Sequence, residues 1–198
     1  LSDVLAVSGH SYGGYTTLAF AGSGYDIDTL MSACNDPESE ACLYTDDAVI
    51  SRYEEGFADP RVGLAIPMAP AGAAEFGPAG LSAVDVPVLL MTGSLDQSTT
   101  DAAQGDPIWS GLNGEDDIRL SFLTGAHFTF SNGCDLFPSM GAGDGCMEGF
   151  IDAHEANDII NVYVLSFLRY HLFDDMSVSE ILNGTEELHP DVLLLTKE

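Results

Sequence analysis

A serine set among glycines is where residue types and spacing first point to bond-breaking chemistry in this chain. Residues 7 to 14 read Val7-Ser8-Gly9-His10-Ser11-Tyr12-Gly13-Gly14, behind the apolar run Val4-Leu5-Ala6-Val7 and ahead of a helix-like stretch from Tyr15 to Ala21. Strand, tight turn and helix in that order place Ser11 at the apex of a Gly-x-Ser-x-Gly turn. Glycines let strand and helix pass closely there, and the serine takes a strained, positive-φ backbone. The backbone N–H of Tyr12 would point at the space above the hydroxyl, and the helix N-terminus favours the negative charge of an acyl-transfer oxyanion. A lone serine is a weak nucleophile. It needs a base and an orienting carboxylate, in the chain order Ser, Asp or Glu, His.

The elements that must position those partners follow along the chain. Val86-Pro87-Val88-Leu89-Leu90-Met91-Thr92-Gly93 reads as a buried parallel strand ending at a glycine, with Asp96 in the next loop. Ile118-Arg119-Leu120-Ser121-Phe122-Leu123 alternates as another strand, and Gly125-Ala126-His127-Phe128 follows it. In open parallel sheets functional groups gather at the carboxyl ends of strands, where Ser11, Asp96 and His127 all fall. Each has an alternative. Asp96 also suits an N-cap or loop aspartate, and Asp101 competes for the carboxylate role. His127 also suits a structural histidine, but His10 belongs to the serine turn, His154 and His171 lie on a long helix, and His189 is in the tail.

The chain resembles the α/β-hydrolase superfamily, and within it the dienelactone-hydrolase-like and platelet-activating-factor-acetylhydrolase-like serine esterases. The likeness is carried by Gly9-His10-Ser11-Tyr12-Gly13-Gly14, by Val88-Leu89-Leu90-Met91-Thr92-Gly93-Ser94-Leu95-Asp96, and by Gly125-Ala126-His127-Phe128-Thr129-Phe130-Ser131. Asn157 through Leu168 is similar to that group's final helix. The resemblance implies Ser11 as nucleophile, His127 as general base, Asp96 as its orienting carboxylate, and the Tyr12 backbone N–H in the oxyanion hole. It implies no cofactor and no metal, and a small-molecule ester as substrate. Ser-Tyr-Gly-Gly-Tyr is also similar to prolyl-oligopeptidase-like peptidases, so a serine peptidase is one alternative. A non-catalytic hydrolase-like binding module is another. Members of the superfamily carry several strands before the serine turn, and only a few residues precede Gly9 here. The expectation is therefore the C-terminal part of an α/β-hydrolase fold: a mostly parallel sheet flanked by helices, with N-terminal strands absent from this chain and the N-terminal part of the same enzyme as a partner.

The remaining segments read more coarsely. Residues 1–173 form the partial catalytic domain, within which 22–60 is an insertion with a helix around Asp46 to Glu55, either a rim or lid or a stapled surface elaboration. Arg61 to Met68 is a strand broken by Pro67 and Pro70, and residues 71–85 are a Gly/Ala/Pro-rich connection. Trp109 reads as a packing residue or an acyl-pocket wall. Residues 152–173 have the apolar spacing of a long helix, and 174–198 is a docking tail.

Five Lys and Arg stand against 32 Asp and Glu, a net charge of −27. Such a surface repels nucleic acid and anionic membranes, and no apolar run reaches the ~20 residues of a membrane span. The cysteines fall into two local pairs, Cys34 with Cys42 and Cys134 with Cys146, each bracketing a polar loop. Two disulfides would imply an oxidising compartment and a secreted or periplasmic protein. Zinc ligation lacks Cys-x-x-Cys spacing. Asp135 and Asp144 in the second loop are candidate calcium ligands, at a spacing that matches no standard calcium-ligand pattern.

Overall fold

The computed structural model describes residues 4–32, 46–136, 139 and 143–197. The described strands form one sheet in chain order: β1 (Leu5–His10), β2 (Val62–Met68), β3 (Leu89–Gly93), β4 (Ile118–Phe122) and β5 (Val192–Thr196). The first four run parallel and β5 returns antiparallel to β4. Helices α1 (Tyr12–Phe20), α2 (Ile27–Ser32), α3 (Asp47–Glu55), α4 (Ala73–Leu81), α5 (Asp106–Gly111), α6 (Gly133–Leu136), α7 (Ala153–Phe173) and α8 (Ser179–Leu182) flank the sheet. The architecture is α/β, with β1 at one edge of the described sheet. Among the described residues no helix is long and apolar enough to cross a membrane.

Consecutive strand residues feed opposite cores. Leu64, Ile66, Leu89 and Met91 pack with Tyr163 and Phe167 of α7, while the intervening Ala65, Val88 and Leu90 pack with Leu18 of α1, Phe76 of α4 and Ile108 of α5. This period of two explains why β2 and β3 read as continuous apolar runs: both of their faces are covered by helices. Phe76, Phe122 and Phe167 are at most 1 % exposed, and burying each contributes about 2–3 kcal/mol.

Strand β4 departs from a half-buried alternation, because its polar positions Arg119 and Ser121 are buried too. Arg119 is held by Asp106 at 2.7 Å and by Thr92 Oγ1 at 3.1 Å. Its Nη2 also lies 2.8 Å from Asp101 Oδ1, out of hydrogen-bond alignment, so charge rather than a directed bond satisfies that oxygen. Burial raises the Asp101 pKa and the Arg119 charge opposes the rise. The chain has only five Lys and Arg side chains in all, so replacing Arg119 by leucine leaves these two carboxylates with little to neutralise them. Arg119→Leu is expected to lower unfolding stability by about 1–2 kcal/mol, because only the guanidinium is buried while Asp106 and, in part, Asp101 keep access to water. Urea denaturation of the two proteins measures it; equal midpoints would contradict the assignment.

Two readings of the sequence are corrected. Pro67 does not break the strand, since β2 is continuous through it. Ala65 and Ala69 donate to β3-side carbonyls, so residue 67 points its amide position the same way, and proline has no N–H to give. The β2–β3 ladder is accordingly reduced to Ala65 with Val88 and Met68 with Met91. Residues 71–85 are also more than a connection, because they hold α4, in which Gly77 (φ 63°) kinks the helix ahead of Pro78. Trp109 is a packing residue: its ring packs against the core that holds Leu18, Phe76 and Ile108, while the Lys197 ammonium lies 4.0 Å from the ring centroid and donates to the Trp109 carbonyl. The described part of the 22–60 insertion seats Tyr25, Tyr53 and Phe57 in an aromatic cluster with Tyr15 of α1 and Phe76 of α4. The 174–198 tail supplies α8 and β5, and Val178, Leu182 and Val192 complete the α7-side core.

Candidate active site

Ser11 stands between β1 and α1 at φ 60°, ψ −119°, a backbone that side-chain-bearing residues rarely adopt. Close approach accounts for the flanking glycines unequally. A β-carbon on Gly9 would lie 2.4 Å from the backbone of Gly13, and one on Gly14 would lie 2.9 Å from Pro70, whereas Gly13 faces open space. The second required glycine is thus Gly14, beyond the Gly-x-Ser-x-Gly frame. The Ser11 side chain makes no capping bond to α1, which leaves the hydroxyl for other partners. Helix geometry leaves the Tyr12 N–H at the first turn without an intrahelical acceptor. The Tyr12 side chain is 79 % exposed beside it.

The loops after β3 and β4 converge on that hydroxyl. Ser94 N–H donates to Phe122 C=O and Leu95 N–H to Gly125 C=O, both at 2.9 Å, which zips the two strand ends together. Asp96 and His127 are brought face to face as a result. His127 Nδ1 lies 3.0 Å from Asp96 Oδ2, and His127 Nε2 lies 3.0 Å from Ser11 Oγ. A carboxylate only accepts, so Nδ1 carries the proton and Nε2 is left to accept from the serine hydroxyl. His127 and Asp96 are buried and Ser11 is half-buried. The arrangement can move a proton from the hydroxyl to the imidazole and hold the resulting imidazolium against a carboxylate.

Asp96 serves two roles with separate oxygens. Oδ1 accepts from the Ser98 and Thr99 N–H groups at 2.8 and 2.6 Å, the capping role, while Oδ2 faces the histidine. Burial works against its charge, but the hydrogen bonds from His127 and Thr99 outweigh burial and hold its pKa below the usual carboxylate range. Asp101, the competing candidate, is turned away onto Arg119.

Three neighbours escape motif reading. The Thr99 hydroxyl lies 2.8 Å from Asp96 Oδ2, 3.0 Å from His127 Nδ1 and 3.0 Å from Ala69 C=O. Its signal in the sequence is the Asp-x-Ser-Thr spacing of a local carboxylate turn. His10 Nε2 donates to the His127 carbonyl at 2.8 Å, and burial together with the neighbouring His127 lowers its pKa. Asp144, weighed above only for calcium, accepts from the His127 N–H at 3.1 Å. Asp135, its companion in that reading, lies 3.4 Å from His154.

Cys134 and Cys146 form a disulfide, with 5.2 Å between their α-carbons. The other expected pair, Cys34 with Cys42, lies outside the described residues. No protein-family model matches the chain, and no curated protein matches it.

Proposed function

We propose that this chain is a carboxylic-ester hydrolase of the α/β-hydrolase superfamily, acting through an acyl-enzyme on Ser11. The observation that carries the reading is the unbroken relay from Asp96 through His127 to Ser11, with both links at 3.0 Å and the serine held at positive φ. As Ser11 Oγ attacks the ester carbonyl, its proton passes to His127 Nε2, and Asp96 stabilises the imidazolium without taking that proton. Charge developing on the carbonyl oxygen meets the Tyr12 N–H at the positive end of α1. The imidazolium then protonates the leaving alkoxide, and the neutral imidazole activates the water that releases the acid.

A panel of p-nitrophenyl esters of rising acyl length, run beside peptide p-nitroanilides, tests the substrate class. Fast ester cleavage with inert peptides is expected. The reverse ranking would favour a serine peptidase, and inertness toward both a binding module.

The disulfide supports a secreted or periplasmic location. It closes a short loop a few residues beyond His127, and such a bridge contributes on the order of 2–3 kcal/mol through the unfolded chain. Reduction is expected to lower ester turnover before the domain unfolds, measured as hydrolysis and far-ultraviolet circular dichroism along a dithiothreitol titration. Coincident loss of both signals would contradict this.

A further inference from the structure

Asp144 is a buried carboxylate with three donors aimed at it and, among the described residues, no cationic side chain paired with it. It is 9 % exposed. Its Oδ1 accepts from the backbone N–H groups of both His127 (3.1 Å) and Gln97 (3.0 Å), and its Oδ2 accepts from the Ser98 hydroxyl at 2.7 Å. Gln97 and Ser98 directly follow Asp96. One carboxylate therefore grips the loop that carries Asp96 and the turn that carries His127.

The segment around it is fixed on that side of the molecule. Gly143 C=O accepts from the Gln97 side chain at 2.6 Å, and Asp144 C=O accepts from the Phe128 N–H at 3.0 Å. Gly145, at φ 123°, lies so flat on the turn that a β-carbon there would come within 3.1 Å of the Thr129 nitrogen. Cys146 then ties the segment to Cys134. A carboxylate receiving two N–H bonds and one hydroxyl bond is well satisfied without a metal or an arginine, and charge-assisted bonds of this kind resist displacement.

We infer that Asp144 is a positioning residue, a clasp that sets the distance and angle between Asp96 and the His127 imidazole, an inference that rests on the ester-hydrolase reading for its consequence in turnover. Hydrogen-bonding the backbone of His127 fixes where the imidazole starts, and hydrogen-bonding Gln97 and Ser98 fixes where the Asp96 carboxylate starts. Without the clasp the two loops keep the strand-end bonds at Ser94 and Leu95 and the contacts of Asp96 and Thr99 with the imidazole, but the His127, Gln97 and Ser98 anchors are lost, and the ring gains freedom to leave the serine hydroxyl. A displacement on the order of 1 Å at a reacting group lowers turnover by as much as about 100-fold.

The test reads the relay itself as well as turnover. In the intact disulfide-bonded chain, the His127 Nδ1 proton is followed by nuclear magnetic resonance as a far-downfield signal, and kcat and KM are measured for p-nitrophenyl butyrate. Asp144→Ala is expected to broaden or abolish that signal and to lower kcat by about 30- to 100-fold while KM changes less than about two-fold, because alignment and not ester binding is lost. Asp144→Asn is expected to retain the signal and most of kcat, since its Oδ1 accepts both N–H bonds and its Nδ2 donates to the Ser98 oxygen. An Asp144→Ala protein that is folded and keeps both the signal and kcat would overturn the inference. Should Asp144→Ala not fold, Ser98→Ala removes a single bond and decides instead: a broadened signal with lowered kcat supports the clasp, and no change in either overturns it. A wild type inert toward the ester would overturn the functional reading alone, because the proton signal still reports whether Asp144 holds the pair.

Discussion

Ser11→Ala is expected to lower kcat/KM for a short-chain p-nitrophenyl ester by about 10⁴- to 10⁶-fold, the scale on which removal of a serine nucleophile acts. The substitution is unusually clean here. Alanine keeps the β-carbon, so the strain of φ 60° is the same in both proteins. The serine side chain makes no capping bond to α1, so the helix loses none. The hydroxyl's partner, His127 Nε2, stays in place through Asp96, Thr99 and its own backbone bonds. Thermal unfolding should therefore move little while turnover collapses, and equal turnover in the two proteins would remove Ser11 from the chemistry.

Asp96→Asn is expected to cost about 10⁴-fold in kcat, through the tautomer of His127 rather than through packing. The asparagine Oδ1 can still accept from the Ser98 and Thr99 N–H groups, so the local turn survives. In place of Oδ2, however, an amide N–H would face His127 Nδ1. Two donors cannot share that contact, so the imidazole is driven to carry its proton on Nε2, where it points at Ser11 and no longer accepts from the hydroxyl. The measurement is kcat at neutral pH together with the thermal midpoint. A loss of kcat matched by an equal loss of fold stability would instead make Asp96 a structural cap.

How far the sequence carries the site depends on whether a role is local. Ser11, Asp96 and His127 are legible because each follows a strand at a short, fixed distance, and parallel strands deliver their carboxyl ends to one edge of the sheet. Thr99 and Asp144 are of common surface types, and their roles arise only when the loops after β3 and β4 meet, a contact no local spacing encodes. Asp96 shows a related limit: its capping and histidine-orienting readings look exclusive along the chain, yet one oxygen serves each.

The fold divides similarly. The long helix over 152–173 and the helix near Asp46 follow from apolar period and capping residues, and α7 and α3 begin one residue beyond their aspartate caps. Helix α4 is hidden by Gly77 and Pro78, which score against helix although the kink accommodates both. Arg119 and Ser121 read as the wet face of β4, because which strand is covered on both sides is decided by distant helices. Cys134 and Cys146 pair as their local spacing suggests, since a loop that short brings the two ends together by itself.

Every step proposed for this site depends on Ser11 being an activated nucleophile. A fluorophosphonate probe reacts with such a serine irrespective of the natural ester, and peptide mapping of the labelled protein locates the adduct. One label per chain is expected, on Ser11, absent in Ser11→Ala and strongly slowed in His127→Ala. An unlabelled wild-type protein, or a label on any other residue, would contradict it.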